Sequence, residues 1–480
     1  MNVITNKKTG AVLTVLLSIL LFSCTNQSKK ISRYYVSLNG NDANSGAVAS
    51  PFRTIKKGVS VLDSGDTLIV LPGNYGYEFA ITLSKSGTKK NPIVIMAEKP
   101  GTVYLKGPRK DNEVDMSSKF KDCGSGSAIV VNNVSHVVID GFNVSNYRVG
   151  IDVGMWDSSV LNIEHPENKA HDVIVKNCTL DKNAGDGIQV FRVDSVLISN
   201  CTFISDFLPN EENGHKFLDA IQDYGCNFYS STASVVENCY FYGSHNQALS
   251  FKEGDVDCIA RKNIFEGAPL YTAIYLGQNR IADNSKENKN PSCNNLIAEY
   301  NVVRGAKGFR VKSPIRVDNV INAIVRNNYF EGFDDTHNTG GVTILDEVRG
   351  KIEINNNILA FSADKDISSG VFIMNKVPLE AQMVIRNNTF YHLAKDINGN
   401  LDKNDIFEKN IIFKCKPSLA HDKNNFYGNP HFLNGLPKQL PLTSLPIKPK
   451  FDEYYFKVTK SFILKEDSPA KDYGAKILLK

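Results

Sequence analysis

The chain has 480 residues, of which 42% are hydrophobic and 22% are charged. It is therefore long enough to bury a large core and too apolar for an intrinsically disordered protein. The 55 lysine and arginine residues nearly balance 51 aspartate and glutamate residues, which leaves a formal net charge of +4. So small a charge argues against a nucleic-acid partner, because proteins bind the phosphate backbone mainly through many lysine and arginine contacts.

The first segment has the features of an export signal. Lys7 and Lys8 precede an apolar run over residues 11–22, which is shorter than the ~20 residues of a membrane-spanning helix. The run ends in Leu-Phe-Ser-Cys24, which resembles the lipobox of bacterial lipoproteins. We expect cleavage to remove residues 1–23 and acyl chains on Cys24 to anchor the protein to the bacterial cell envelope. An ordinary secreted protein is the alternative, and the sequence leaves the membrane face open (outer membrane, periplasmic or surface side).

A short alternating strand recurs along the chain and ends in a polar pair of Asn or Cys followed by one apolar residue. The spacing between successive copies varies from 23 to 38 residues. A repeat this short and irregular, without a helical pattern, does not fit a propeller, a leucine-rich repeat or an ankyrin repeat, and it predicts a stack of β-coils. The apolar residues that end the copies are Leu180, Phe203, Phe241, Phe265, Val303, Phe330, Leu359 and Phe390.

Each coil carries a second strand that starts at a small residue. Side chains alternate across a strand, so the residue after the small one should face inward and the next one outward. Stacking then predicts an inward apolar column and an outward column whose composition changes along the stack. The strands are predicted to begin at Gly150, Gly187, Ala220, Ala248, Ala273, Gly308, Gly341 and Gly370. The outward residues are then Asp152, Gln189, Gln222, Ser250, Tyr275, Arg310, Thr343 and Phe372.

The cysteines after Cys24 fit the repeat better than a metal site. None of them stands in a CxxC or zinc-like spacing, so no metal site is predicted. Cys178, Cys201 and Cys239 occupy one turn column that later coils fill with Asn, which favours packing as their role. Neighbours in one column lie close enough for a disulfide bond, so a Cys178–Cys201 disulfide is kept as the alternative.

Both ends of the repeat region carry a family resemblance. The segments YYVSLNGNDANSG (34–46), SPFRTIKKGV (50–59) and DSGDTLIVLPGNYG (63–76) resemble the opening cap and first coil of the right-handed parallel β-helix superfamily of pectate lyases. The segments GNPHF (428–432) and DSPAKDYGA (467–475) resemble the closing segment of such proteins. Within that superfamily the chain is most similar to polysaccharide lyase families 6 and 9.

The resemblance implies an all-β fold. It predicts a right-handed parallel β-helix, a solenoid with an N-terminal cap, over residues 34–415 and an irregular C-terminal closing segment over residues 416–480. Residues 24–33 are the expected tether. The resemblance also implies polysaccharide chemistry, although a fold alone does not fix function. We therefore expect a monomer whose partner is an anionic polysaccharide and whose only contact with a membrane is the lipid anchor.

Three cations, Lys252, Arg310 and Lys312, are predicted on the outward face of neighbouring coils. Lyases of uronic-acid polymers remove the proton α to a carboxylate, so they need a base, groups that neutralise the carboxylate and an acid for the leaving oxygen. A lysine serves as the base only when its pKa is lowered by desolvation or nearby positive charge. We expect Lys252 to be the base, or else a ligand of the substrate carboxylate or a solvated surface residue. Tyr275 is the expected acid, or else a sugar-stacking platform or an exposed aromatic.

Two short similarities to the lyase families carry these catalytic roles. The segment LSFKEG (249–254) resembles the family 6 strand that presents the catalytic lysine, which maps onto Lys252. The segment GFRVK (308–312) is similar to the family 9 strand that offers a lysine base, which would give Arg310 or Lys312 that role.

The departures from family 6 concern the cofactor and the second catalytic residue. The positions that bind calcium in the family are His245 and Gln247 here, and Gly277 stands where the family's catalytic arginine would align. The sequence therefore does not identify a cofactor. Calcium is kept as an alternative, although the residues at the family's calcium-binding positions differ here.

Further polar residues complete the predicted site. His215 lies at the lip of an insertion and His245 one coil on, so this pair is a second candidate for the base, with turn hydrogen bonding as the alternative. Amides, aromatic rings and cations suit the hydroxyls, ring faces and carboxylates of a sugar chain. The predicted substrate-binding residues are Gln189, Gln222, Tyr224, Gln247 and Lys312.

The favoured function is a lipid-anchored lyase that cleaves a uronate-containing polysaccharide by β-elimination. A glycoside hydrolase or a C5-epimerase on the same fold is one alternative. A hydrolase needs two outward carboxylates ~5 Å or ~6.5–9.5 Å apart, and the acidic residues give no clear pair. A non-catalytic glycan-binding or structural lipoprotein is the other alternative.

Overall fold

Parallel β-strands build most of the chain. The computed structural model describes residues 31–78, 80–109, 126–154, 170–205, 207–212, 215–220, 224–243, 245–267, 272–278, 293–305, 313–333, 340–345, 347–362, 368–374, 380–418, 423–442 and 447–477. The described strands and helices fall within the unit Arg33–Lys480. In the described residues no helix is long and apolar enough to cross a membrane.

Three sheets run the length of the solenoid, with 13, 11 and 13 strands in the described part of the chain. Sheet 1 comprises Arg33–Val36, Thr67–Val70, Ile93–Ala97, Val137–Asp140, Ala170–Lys176, Val193–Ser199, Val235–Glu237, Ile259–Arg261, Cys293–Glu299, Val320–Arg326, Arg349–Asn355, Glu380–Arg386 and Ile406–Glu408. Sheet 2 comprises Ile81–Leu83, Ser127–Val131, Val149–Val153, Asp186–Phe191, Tyr224–Tyr229, Gln247–Lys252, Thr272–Gln278, Ser313–Val317, Gly340–Ile344, Ser369–Ile373 and Lys395–Asn398. Sheet 3 comprises Gly73–Asn74, Val103–Lys106, Phe142–Ser145, Thr179–Asp181, Thr202–Ser205, Tyr240–Gly243, Ile264–Glu266, Val302–Arg304, Tyr329–Glu331, Ile358–Ala360, Thr389–Tyr391, Ile411–Phe413 and Phe426–Tyr427.

A typical coil passes from sheet 1 to sheet 3 and then to sheet 2 before it enters sheet 1 again, so each strand pairs in parallel with the equivalent strand of the next coil. The all-β parallel β-helix predicted from the repeats is therefore confirmed. The inward column on sheet 2 is also confirmed for six of its members, which are fully buried: Ile151, Ile188, Leu249, Ile274, Val342 and Val371.

The predicted position of the sheet 2 strand is wrong in two coils. Ala220 ends one strand of an antiparallel hairpin, Phe207–Glu212 with His215–Ala220, and the sheet 2 strand of this coil is Tyr224–Tyr229. Ile188 accordingly pairs with Cys226. The physical reason lies at Gly225, where a Cβ would stand 2.5 Å from the Ala248 carbonyl oxygen, so the chain must put a glycine there.

The second error concerns the strand predicted at Gly308. The sheet 2 strand of that coil is Ser313–Val317, and Ile315 fills the inward place beside Ile274. The outward place opposite Tyr275 is held by Arg316 instead of Arg310. Both segments carry the same alternation of small, apolar and basic residues, so the alternation alone does not select the frame.

The turn column of Cys and Asn is present as predicted. In its later part each Asn side-chain oxygen accepts hydrogen bonds from the Asn of the preceding coil, as Asn328 Oδ1 does from the backbone N–H of Asn301 at 2.8 Å. The residue before each column member, such as Asn327 with φ +57°, is left-handed, which Asn tolerates better than most residues. Cys178 and Cys201 are free, buried thiols.

Short helices lie near both ends of the repeat. The helix Ile55–Ser60 follows the first strand, and the Thr54 side chain accepts a hydrogen bond from the backbone N–H of Lys57 at its start. The C-terminal helix Phe451–Thr459 continues into the 3₁₀ turn Lys460–Phe462. Tyr454, Val458 and Phe462 pack with buried residues of sheet 3 in a second apolar cluster.

Candidate active site on the outward face of sheet 2

The outward face of sheet 2 carries a row of residues in strict register. Gln189, Asn227, Ser250, Tyr275 and Arg316 stand opposite one another on five successive strands. The sequence predicted the places of Gln189, Ser250 and Tyr275. Asn227 and Arg316 were missed because the sheet 2 strands of their coils were predicted to begin at the wrong residue. The apolar residue of the next coil follows 16 positions after Gly187, Gly225 and Pro314, 17 after Ala248 and 18 after Gly341, so this spacing favours the observed places over Ala220 and Gly308, at 21 and 22 positions, without fixing them.

Lys252 ends its strand opposite Tyr229 and lies against aromatic rings. Its side chain is almost fully buried, with 2% exposure. Its Nζ lies 4.0 Å from the centre of the Tyr224 ring and 5.5 Å from that of Tyr229. A desolvated cation on a ring face gains about 2 kcal/mol. Tyr224 stands level with Gln247, at the other end of the strand from the place that the sequence predicted.

A hydrogen-bonded network runs beside Lys252 across three coils. Ser250 Oγ donates to Asn227 Oδ1 at 2.6 Å. Asn227 Nδ2 in turn donates to the Tyr229 hydroxyl at 2.7 Å and to Asp186 Oδ1 at 3.3 Å. Asn227 and Ser250 are buried although they belong to the outward row. The sheet therefore presents an ordered set of amide, hydroxyl and carboxylate groups next to a lysine.

The turn after Lys252 contains buried carboxylates. Asp255 accepts hydrogen bonds from the backbone N–H of Lys252 at 2.8 Å and from that of Ser231 at 2.6 Å. Burial raises the pKa of Asp255 well above its ordinary value, against the lowering effect of these N–H groups and of Lys252. Glu253 is buried as well and has a left-handed backbone with φ +50°. Lys252 therefore stands among acids and rings.

Tyr275 lies one coil further along and is 5% exposed. Its hydroxyl donates to Asp318 Oδ2 at 2.9 Å, and the guanidinium carbon of Arg316 lies 5.3 Å from its ring centre. Burial and the Asp318 carboxylate raise the pKa of Tyr275, against the opposing effect of Arg316. The phenol therefore keeps its proton at neutral pH, and it is a weaker acid than an exposed tyrosine.

Several buried polar atoms in this region have no hydrogen-bond partner within the described residues. They include the amide oxygen of Gln247, at the start of the Lys252 strand, and Nε of Arg316. Buried polar atoms are normally paired, so such atoms in an outward face suit a bound hydroxyl or carboxylate.

Asp152 belongs to the same outward row, two strands before Asn227. Burial raises its pKa to about 6, against the hydrogen bond that it accepts from Ser127 Oγ at 3.1 Å. A carboxyl group with this pKa holds its proton in mildly acidic solution, which is a requirement for a general acid.

The remaining predicted site residues fall into three groups. His245 is buried in the turn before Gln247 and makes an edge contact with Phe241, with ring centres 6.4 Å apart. His215 pairs with Glu212 in the antiparallel hairpin, away from the register of sheet 2. The predicted residues Gln222, Arg310, Lys312 and Cys24 lie outside the described residues. The structure thus brings Lys252, Tyr224 and Gln247 together.

The three parallel sheets define a protein of the β-helix class, and the family comparison agrees with this class. The family model described as Pel9A-like, right handed beta helix region, matches residues 34–362. The chain belongs to that family, so its solenoid is a right-handed parallel β-helix. No protein of curated function matches the sequence.

Solved structures are similar to this chain at low sequence identity. A pectate lyase, Pel9A, is 16% identical over 93% of this chain and 92% of its own, with a TM-score of 0.43. A family 6 alginate lyase, AlyGC, is 16% identical over 88% of this chain, with a TM-score of 0.47, and this chain covers 56% of its length. The A-module of the mannuronan C-5 epimerase AlgE6 from Azotobacter vinelandii is 11% identical over 76% of this chain and 90% of its own, with a TM-score of 0.51.

Proposed function

We propose that this protein cleaves an acidic, uronate-containing polysaccharide by β-elimination at the outward face of sheet 2. The observation that carries the proposal is the enclosure of Lys252 Nζ by the rings of Tyr224 and Tyr229, beside the Asn227–Ser250 network. Membership of the Pel9A-like family supports the choice of a polysaccharide as the substrate.

The proposed roles follow from the chemistry of each group. Lys252, in its neutral form, takes the proton α to the uronate carboxylate. Desolvation favours that form of an amine, whereas the ring faces of Tyr224 and Tyr229 and the Asp255 carboxylate favour the ammonium, so the role requires that desolvation dominates. The electron pair of the broken C–H bond forms a carbon–carbon double bond, and the glycosidic C–O bond breaks. Tyr275 supplies the proton for the leaving oxygen. Arg316 offers a positive charge to the substrate carboxylate, and the Gln247 amide oxygen accepts a bond from a sugar hydroxyl.

The proposed catalytic groups are buried, so the reaction requires that they become accessible to the substrate. Lys252 is 2% exposed and Tyr275 is 5% exposed, so a sugar chain touches them only after they become accessible. The proposal therefore requires that substrate binding exposes this part of sheet 2.

A screen of acidic and neutral glycans tests the proposal. Each polymer is incubated with the protein, and the ultraviolet absorbance of new unsaturated uronate ends is recorded together with the reducing ends. We expect both signals to rise on at least one polyuronate and both to be lost in Lys252→Met. The matched control is Lys351→Met, a strand lysine of sheet 1 whose side chain is 47% exposed. A polyuronate panel without ultraviolet absorbance would contradict the lyase proposal.

A glycoside hydrolase is the second candidate, and Asp152 favours it. Its pKa of about 6 suits the general acid of a glycosidase, and Asp186 lies on the adjacent strand of sheet 2. Reducing ends that appear without ultraviolet absorbance, and vanish in Asp152→Asn, would support this function. Inversion of uronate configuration without new ends would indicate a C5-epimerase, and binding alone would indicate a glycan-binding protein.

We also propose that Cys24 carries acyl chains that anchor the protein to the cell envelope. The support is the sequence Leu-Phe-Ser-Cys after a short apolar run. Mass spectrometry of the N-terminal peptide from the membrane fraction should show a lipid-modified Cys24, and Cys24→Ser should release the protein from that fraction. An unmodified peptide that begins elsewhere would contradict the anchor.

A further inference from the structure

Two histidines and an aspartate meet at the turn between sheet 2 and sheet 1, in consecutive coils. His136 precedes the sheet 1 strand Val137–Asp140, and Asp172 holds the equivalent position in the next coil, because Val137 pairs with Val173. His171 comes directly before Asp172. The three residues lie outside the candidate site that contains Lys252.

The ligand atoms of the three side chains converge. Nδ1 of His171 lies 2.9 Å from Asp172 Oδ2, and Nδ1 of His136 lies 3.3 Å from the same oxygen. One ligand atom from each residue lies within 4.8 Å of the others. The two imidazole rings meet edge to face, with centres 4.9 Å apart. Zinc–nitrogen and zinc–oxygen bonds of about 2.0–2.2 Å place tetrahedral ligand atoms about 3.3 Å apart, so small side-chain rotations would close this set around one ion.

The backbone holds this arrangement in place from three coils. The backbone N–H of His136 donates to the His171 carbonyl at 3.1 Å, and the N–H of His171 donates to Ser135 Oγ at 3.1 Å. The His136 carbonyl accepts a bond from Ile93 at 3.0 Å. His136 and Asp172 both have left-handed backbones, with φ +57° and +58°. The register of the coils therefore fixes the backbone positions from which the three side chains extend.

We propose that His136, His171 and Asp172 form a binding site for a divalent transition-metal ion of the zinc class. Two imidazole nitrogens and one carboxylate select zinc, cobalt, nickel or copper over calcium and magnesium, which prefer all-oxygen ligand sets. The side chains are 18%, 45% and 47% exposed, so an ion reaches them from solvent. Three protein ligands leave a fourth position for water or an outside ligand, which is the arrangement of open zinc sites and not of closed structural ones.

Cobalt binding to the purified protein, after treatment with a chelator, tests the proposal. Co²⁺ reports its ligands through its visible absorption, so the readout does not depend on any enzymatic activity. We expect one Co²⁺ per chain, a visible spectrum typical of four- or five-coordinate cobalt, and displacement by Zn²⁺ but not by Ca²⁺. Displacement by Ca²⁺ at equal concentration would overturn the assignment of nitrogen ligands.

Three variants locate the ion. His171→Ala and Asp172→Asn should each weaken Co²⁺ binding at least tenfold, because each removes one of three ligands. Asn keeps the left-handed backbone at position 172 at little cost, so this variant should stay folded. The matched control is His392→Asn, an exposed histidine at φ +58° in a turn of a later coil, which should bind Co²⁺ as the wild type does. Absence of saturable binding at millimolar Co²⁺, or unchanged binding in both site variants, would overturn the proposal and leave a hydrogen-bonded His–Asp cluster.

Discussion

Two buried cations of this solenoid, Arg304 and Lys252, differ in the groups that hold them. Arg304 on sheet 3 lies under the C-terminal helix and is 2% exposed. Its guanidinium donates to the carboxylates of Glu331 and Glu266, the latter at 3.2 Å, to the Tyr454 hydroxyl at 2.5 Å and to the Leu440 carbonyl at 2.6 Å. Tyr329 also donates to Glu331, at 2.6 Å. This network ties the closing segment to the coils.

Lys252 on sheet 2 is as deeply buried, yet its ammonium rests on the rings of Tyr224 and Tyr229. Amide and hydroxyl groups of Asn227 and Ser250 lie beside it, and the buried carboxylates of Asp255 and Glu253 stand in the turn that follows it. A guanidinium held by two carboxylates stays charged and stabilises the fold. A buried lysine shifts its pKa more readily than an arginine, which suits chemistry. The partners of a buried charge, more than its burial, therefore distinguish a structural cluster from a candidate site.

The largest expected effect on stability comes from breaking the Arg304 network. Arg304→Met leaves Glu266 and Glu331 buried without their cation, and removal of one partner from a buried ion pair costs about 3–5 kcal/mol. Chemical denaturation should show this loss. The control Arg326→Met breaks an ion pair with Glu299 whose arginine is 42% exposed, and it should cost at most about 1 kcal/mol. Equal losses in the two variants would remove the structural role given to the sheet 3 cluster.

Burial of the Asp152 carboxyl should make the free energy of unfolding depend on pH. Its pKa is about 6 in the folded protein against 3.8 ordinarily, so the unfolded chain ionises first as the pH rises. The folded state therefore binds more protons between about pH 4 and 6, and the free energy of unfolding should fall by about 3 kcal/mol over that range. Asp152→Asn should lack this fall. Parallel curves of unfolding free energy against pH for the two proteins would show that the carboxyl is not protonated in the folded state.

The smallest expected effect on stability is that of Lys252→Met. Methionine has a similar length and packs well against aromatic rings, and Asp255 keeps its two backbone N–H donors, so the loss in the free energy of unfolding should stay within about 2 kcal/mol, the value of the cation on the ring face. The measurement is denaturation side by side with Arg304→Met. A loss as large as that of Arg304→Met would mean that Lys252 serves the fold, and the contrast between the two cations would disappear.

Much of the fold follows from the sequence because solenoid positions repeat. Ile151, Ile188 and Leu249 form one inward column, and a run of Asn before each apolar residue marks the turn. Both signals depend on local alternation and on side-chain size, which a single sequence displays. The inward and outward faces could therefore be predicted for most of sheet 2.

The candidate site was less predictable because it depends on exact register. Asn227 and Arg316 stand in the outward row only because Gly225 and Pro314 set the frame of their strands, and insertions precede both. The contact of Lys252 with Tyr224 joins opposite ends of neighbouring strands, which no strand pattern encodes. The meeting of His136 with Asp172 likewise requires the pairing of two coils.

The most direct test of the central claim is the initial rate at which unsaturated uronate forms from the best polyuronate substrate. Lys252→Met should lower this rate by about 10²–10⁴-fold, the usual contribution of a general base, while Lys351→Met keeps the wild-type rate. Lys252→Arg should not restore activity, because a guanidinium does not release its proton near neutral pH. A Lys252→Met protein that is folded and as active as the wild type would contradict the assignment of this chemistry to Lys252.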